Sequence, residues 1–184
     1  MCKPRLLVLL CLLLQVCAVA RADQTDPRLD GLFARLQRAQ GPEAAARVEQ
    51  KIWVIWRETD NEKVAAAMER GARALMAQHF ARAEEIYSQV VEMAPKYAEG
   101  WNKRATARYM EDQYAASAAD IRRTLALEPR HFGALSGLGL VYMELGQNQA
   151  ALEAFQRALE IDPYLRGPQH NIEVLRQRME SNGV

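Results

Sequence analysis

Three histidines, three cysteines and a few glycine-bearing or acidic clusters are the residues of this 184-residue chain whose types and spacing raise the question of chemistry. His79, His131 and His170 stand roughly 40–50 residues apart, and none has the H-E-x-x-H spacing that brings two imidazoles to one metal. Each falls near an expected turn, so all three are read as solvated turn or helix-start side chains. Gly133-Ala-Leu-Ser136-Gly137 superficially suggests a nucleophile elbow, but Ser136 directly precedes the second glycine and the G-x-S-x-G spacing fails. Gly137-Leu-Gly139 lacks the third glycine and the preceding strand of a dinucleotide fingerprint. Glu84-Glu85 and Glu111-Asp112 are adjacent in sequence and point in different directions on a helix. No catalytic centre, metal, cofactor or small-molecule substrate is expected.

Cys2, Cys11 and Cys17 all lie in the first 17 residues, a stretch with the layout of an export signal. Lys3 and Arg5 precede the apolar run Leu6 to Leu14, and Ala20-Arg21-Ala22 fits a small-x-small cleavage site, with Ala18-Val19-Ala20 as a second candidate. The run is too short to span a bilayer, which takes roughly 20 predominantly apolar residues. Residues 1–22 are therefore expected to be a signal peptide. The mature chain would then hold no cysteine, start at Asp23 or Arg21, and lie outside the cytoplasm, in a bacterial periplasm or secreted. Leu14-Gln15-Val16-Cys17 loosely resembles a bacterial lipoprotein box, with Val16 where a small residue is expected. Membrane association is expected only with lipid on Cys17. Removing the leader takes the basic residues from 24 to 21, against 23 acidic ones. No basic stripe remains for a nucleic acid.

The elements after the leader all read as helices. Asp26-Pro27 is a helix start, and Leu29, Leu32, Phe33 and Leu36 recur on one face. Gly41-Pro42 breaks the pattern. A second helix follows with Ala45, Val48, Ile52, Ile55 and Trp56 on one side. Residues 23–63 read as a helical hairpin that caps the N-terminal end of the fold, Trp56 packing against the unit that follows. Trp53 lies off that face and is a candidate partner anchor. Thr59 and Glu62 have capping-box spacing and restart the helix.

From residue 64 onward the chain is periodic. Pro95, Pro129 and Pro163 lie 34 residues apart, twice in succession. Before Pro163 stand Leu138-Gly139, Tyr142, Ala151, Phe155 and Ala158. This spacing resembles the tetratricopeptide repeat, a helix–turn–helix unit with the pattern W-x2-L-G-x2-Y…A-x3-F…P, Leu135 replacing the Trp. Three units follow at 64–97, 98–131 and 132–165. Gly71, Ala105 and Gly139 fall where the two helices of a unit approach closely, opposite Ala83, Ser117 and Ala151. Residues 166–184 carry Ile172, Leu175 and Met179 at helical spacing, a C-terminal capping helix of the kind that stacked arrays need. The fold expected is all-α: a solenoid of three repeats between an N-terminal hairpin and a C-terminal helix.

Arg70 and Arg104 occupy the column in which the third unit has Leu138. For Arg104 the chain offers Asp120 on the second helix of the same unit, an arrangement that some repeats of the family resemble; Arg70 and Arg108 have no evident partner. The resemblance implies a non-enzymatic interaction module that holds a protein or peptide in a concave groove. The groove columns of similar repeats carry Met68, Leu75 and Met76, then Asn102, Thr106, Tyr109 and Met110, then Leu140 and Met143. Ala65, Ala72, Glu99, Gly133, Ser136 and Glu144 share those columns. Of the Lys, Arg and Asn that clamp a partner's terminal carboxylate, only Asn102 is present. The Met and Leu content suits an apolar peptide or partner helix, unless a terminal helix folds over this surface. The implied function is an adaptor of the cell envelope. The alternative is a structural or lipid-anchored subunit of an envelope complex.

Overall fold

A computed structural model describes residues 25–181, and all the regular elements in it are α-helices but for one short 3-10 turn. They are α1 (Arg28–Gln37), α2 (Pro42–Arg57), α3 (Glu62–Met76), α4 (Phe80–Met93), α5 (Ala98–Tyr109), α6 (Tyr114–Leu127), α7 (Phe132–Glu144), α8 (Asn148–Ile161) and α9 (Arg166–Ser181). The leader and its cysteines lie outside the described residues. From α3 to α9 each helix packs on the next, so α3/α4, α5/α6 and α7/α8 are stacked helical hairpins and α9 closes the row.

The repeat register is written in the turns. Within each hairpin the first helix ends in a Schellman motif: His79 N–H donates to Ala74 O, Gln113 to Arg108 O and Gln147 to Tyr142 O, at 2.8–2.9 Å. Each motif needs a left-handed residue just before that donor. Gln78, Asp112 and Gly146 hold it, with φ of 58°, 57° and 69°. Between hairpins the chain turns at Pro95, Pro129 and Pro163, which cannot continue a helix.

The close approach of the paired helices is set by complementary volumes. A Cβ built on Gly71 would sit 2.5 Å from Tyr87 Cε1, and one on Gly139 would sit 2.5 Å from Phe155 Cε1. In the middle repeat the same two columns hold Ala105 and Ile121, both buried in one cluster. An aromatic ring thus faces glycine, whereas the smaller Ile faces alanine. Gly139→Ala alone should therefore destabilise the fold by about 1–3 kcal/mol through overpacking, despite the roughly 1 kcal/mol that Ala gains in a helix. In a Phe155→Ile background the same Gly139→Ala change should stabilise. Urea titration of the four proteins measures both signs; the same sign in both backgrounds would refute the complementarity.

The structure corrects the sequence reading at the start of this region. The cap of α3 is Asn61, whose Oδ1 accepts from Lys63 N and Val64 N at 3.0 and 3.3 Å; Thr59 instead accepts from Asn61 N. Nor does the N-terminal hairpin cap the first repeat. Among the described residues α3 has no helix stacked in front of it, and Ala66, Glu69, Arg70 and Arg73 face solvent. Arg70 stands in the Leu138 column because in the first repeat that column is outside.

Candidate functional site

The hairpin α1/α2 docks sideways, along the turns of the second and third repeats. Leu29, Phe33 and Leu36 of α1 and Ala45, Val48, Ile52, Ile55 and Trp56 of α2 form one buried cluster with Phe132. Trp56 belongs to this cluster and not to the core cluster of the first repeat. Its ring stacks on His131 at 4.1 Å and 8°, and packs beside Phe132, Phe33 and Trp53. Trp53 meets Gly133, where a Cβ would lie 2.6 Å from the indole. Tyr164 clamps the α1–α2 turn, accepting from Gly41 N and donating to Ala39 O, each at 3.0 Å. Arg130 lies over Phe33 at 4.3 Å and pairs with Asp30 at 2.7 Å. Tyr97 OH donates to Arg57 O.

His131 is the second correction. It is fully buried, not a solvated turn side chain as its position suggested. Nδ1 accepts from Ala134 N at 3.0 Å, which places the ring proton on Nε2, 3.2 Å from Glu99 Oε2. Asn102 Nδ2 donates to that same carboxylate at 2.8 Å, and Lys103 Nζ lies 3.1 Å from its other oxygen. Burial by itself would push the Glu99 carboxyl up; Lys103, then His131 and Asn102, outweigh it and leave its pKa below the usual range. His79 and His170 are exposed. A signal for His131 was present in the register: Tyr97, His131 and Leu165 share one column, and two of the three are aliphatic or aromatic.

A carboxyl pair joins α2 to the turn after α8. Asp162 is fully buried, and its Oδ2 has no donor among non-acidic groups. Glu49 lies against it, and burial, then the Asp162 charge and a hydrogen bond to it, push the Glu49 carboxyl up to about 7. When Glu49 is protonated, its hydroxyl can supply that donor. Because the folded pKa lies above the unfolded value of about 4.3, this contribution is complete below pH ~4.3 and is lost as pH rises through about 7. Solvent screening of this partly exposed group holds it to about 1 kcal/mol. Glu49→Gln should raise stability at pH 8 and flatten the decline between pH 5 and 8 in thermal melts. An unchanged slope would refute the pairing.

Arg104 and Asp120 meet as a bidentate pair, Nε–Oδ2 and Nη2–Oδ1 both at 2.8 Å. Arg108, unassigned from sequence, completes a wider network: Nη1 donates to Asp120 Oδ2 at 2.9 Å and Nε to Glu84 Oε1 at 2.8 Å. Arg104 Nη1 also reaches Ser88 Oγ at 3.3 Å. Helices α4, α5 and α6 are thereby tied across two repeats. Burial alone would raise the Glu84 carboxyl, but hydrogen bonds from Arg108 and Gln113 bring its pKa below the usual range.

The expected groove residues divide into three groups. Asn102 is 8% exposed and held by Glu99, so it is not available to a ligand; Glu99 and Gly133 are covered with it by α2. Leu140 and Met143 are half-buried against the cluster that Ile172 and Leu175 of α9 complete. Met68 and Leu75 are half-buried against the core of the first repeat. The open part lies at the far ends of the first helices. There Met76 and Met110 are 85% and 47% exposed, Thr106 is exposed, and Tyr109 is half-buried beside Tyr114 at 5.7 Å. Tyr109 OH donates to Glu144 at 3.4 Å. Among the described residues no group of three or more His, Cys, Asp or Glu could hold a metal, and no helix is long and apolar enough to cross a membrane.

Comparisons with known proteins place this geometry. The tetratricopeptide repeat profile matches residues 133–165. The first tetratricopeptide domain of Spaghetti (RPAP3), solved bound to an HSP90 peptide SRMEEVD, superposes with a TM-score of 0.63 at 20% identity, over 66% of this chain and 96% of that one. The Sgt2 tetratricopeptide domain from Aspergillus fumigatus gives 0.64 at 20% identity, over 67% and 83%. At these identities the likeness is one of fold. A TPR repeat-containing protein of Rhizobium etli is 32% identical over 155 residues, which cover 84% of this chain and 76% of that protein. The chain belongs to the tetratricopeptide-repeat-containing proteins.

Proposed function

We propose that this protein is a non-enzymatic protein-interaction adaptor that takes an apolar peptide or partner helix on the uncovered part of its concave face, and that it works outside the cytoplasm, in the cell envelope. The observation that carries the binding role is the exposure of Met76 and Met110, side chains from equivalent positions of two successive repeats. Surface methionines in register adapt to varied apolar partners, and an amphipathic segment laid across them would bury its own apolar face. The export role rests on the layout of residues 1–22. Solved relatives include peptide-bound domains, which supports a peptide as the partner class. An acidic C-terminal peptide is not the expected ligand, because Asn102 is engaged by Glu99 and no cation replaces it.

Met76→Glu with Met110→Glu tests the site. Each buried Met contributes roughly 1.5–3 kcal/mol, so partner capture by in-cell crosslinking should fall severely, while helicity stays intact because both residues are exposed. Capture by the native protein should depend little on salt. Unaltered capture by the double variant would rule out this surface. An intact mass starting at Asp23 or Arg21 in the envelope fraction supports export; a retained Met1 refutes it.

A further inference from the structure

The hairpin carries a cleft of about 1310 Å³ between α1 and α2, lined by these two helices and the turn between them, with no residue of the repeats. On α2 the lining side chains Ala44, Arg47, Val48, Lys51, Val54 and Ile55 share one face over three turns, and on α1 Arg28, Gly31, Leu32 and Arg35 share one face over two, which Arg38 and Ala39 of the following turn extend. The two faces lie side by side and leave a trough about 16 Å long on the α2 side, at 1.5 Å per residue. Its floor is apolar, with Leu32 from α1, Ala39 from the turn after it, and Val48, Val54 and Ile55 from α2. Val54 is 46% exposed there. The rim is cationic: Arg28, Arg35 and Arg38 on one side, Arg47 and Lys51 on the other, with no Asp or Glu in the lining. Arg28 pairs with Asp26 and Glu58. Arg35, Arg38, Arg47 and Lys51 are exposed and belong to none of the ion pairs among the described residues. Of the other acids of the hairpin, Asp30 pairs with Arg130 and Glu49 faces Asp162, while Glu43, one turn before Arg47, is exposed and outside the lining.

We propose that this trough is a second docking site, separate from the concave face, for an acidic amphipathic helix of about three turns from a partner protein. A third helix laid between α1 and α2 would cover the exposed floor with its apolar stripe and set acids on its flanks against both basic rims. Charge decides among the possible occupants. A second copy of the hairpin would bring the same cations against these. Residues 1–22 of the chain carry Lys3, Arg5 and Arg21 and no acid, the wrong sign for the rim. A flat anionic bilayer would reach the arginines but not the floor between the helices.

The probe is a synthetic helical peptide of about four turns, with a Leu stripe at i, i+3, i+4 and i+7 and Glu on both flanks. It is titrated by fluorescence anisotropy against the full chain. Binding is expected to weaken steeply with added salt, and to fall at least tenfold in Arg35→Glu/Arg47→Glu, a pair of exposed substitutions. The same peptide with Lys for Glu should not bind the native chain and should bind that variant, a reversal that loss of fold would not produce. Peptide binding should survive in Met76→Glu/Met110→Glu, which separates this site from the concave face. Equal binding by the native and charge-reversed chains would overturn the proposal. So would binding of phosphatidylglycerol vesicles through the same arginines without binding of the peptide.

Discussion

Asp120→Ala is expected to cost about 3–5 kcal/mol, because it removes the shared acceptor of two largely buried guanidinium groups. Asp120 is 4% exposed, and Arg104 and Arg108 are 13% and 19% exposed. Once it is gone, Arg104 keeps the Ser88 hydroxyl and its place over the Trp101 ring, and Arg108 keeps Glu84, so neither has a full set of acceptors. At roughly 2–4 °C per kcal/mol for a domain of this size, the melting temperature should drop by about 6–20 °C. A double-mutant cycle with Arg104→Ala isolates the pair, and the two changes should be strongly non-additive, since each single variant strands a partner. Arg104→Ala should cost less than Asp120→Ala, because Asp120 then retains Arg108. If the two costs simply add, the network carries no coupling and its geometry is incidental.

Trp56→Ala should have a comparable cost, about 3–5 kcal/mol for a large buried aromatic, but its reach should be local. The indole is 2% exposed and fills the space between the hairpin and the third repeat. Without it, Phe33 and Phe132 lose a common neighbour and His131 loses its stacking partner. Amide exchange should accelerate throughout α1 and α2 and at His131–Leu135, where Leu135 N–H donates to His131 O. The pairs α3/α4 and α5/α6 should keep most of their protection, as arrays held by nearest-neighbour contacts do. Uniform acceleration across all helices would show that the hairpin is not a separate cooperative unit.

The repeat fold was legible because its signals are local and recur. Three prolines in step announce three turns, and Gly71 and Gly139 stand where a ring must fit. Arg104 and Asp120 could be paired because both lie within one repeat. Arg108 was not, because it stands in the tyrosine column of the motif and its two acids lie in different repeats, Asp120 in its own and Glu84 in the one before. The placement of the hairpin was illegible for a related reason. Its receiving surface is assembled from Tyr97, Arg130, His131, Asp162 and Tyr164, turn residues from separate segments, of which His131 reads as solvent-facing and the others carry no motif. The cap of α3 was misplaced because Thr59 and Asn61 are both competent caps, and only the backbone geometry chooses between them.

Tyr164 holds Gly41 across 123 positions of sequence, which changes the order in which the molecule can be completed. A simple stack can add each unit as it emerges during synthesis. This chain makes its first two helices early and must leave Phe33 and Trp56 without their destination until the third repeat exists. Closing a loop of that length is slow compared with zipping adjacent helices. The finished protein is therefore a row of repeats fastened by its N-terminal hairpin, and truncation after the second repeat would strip that hairpin of Phe132, Ile161, Tyr164 and Leu165, much of the surface that its apolar face packs on.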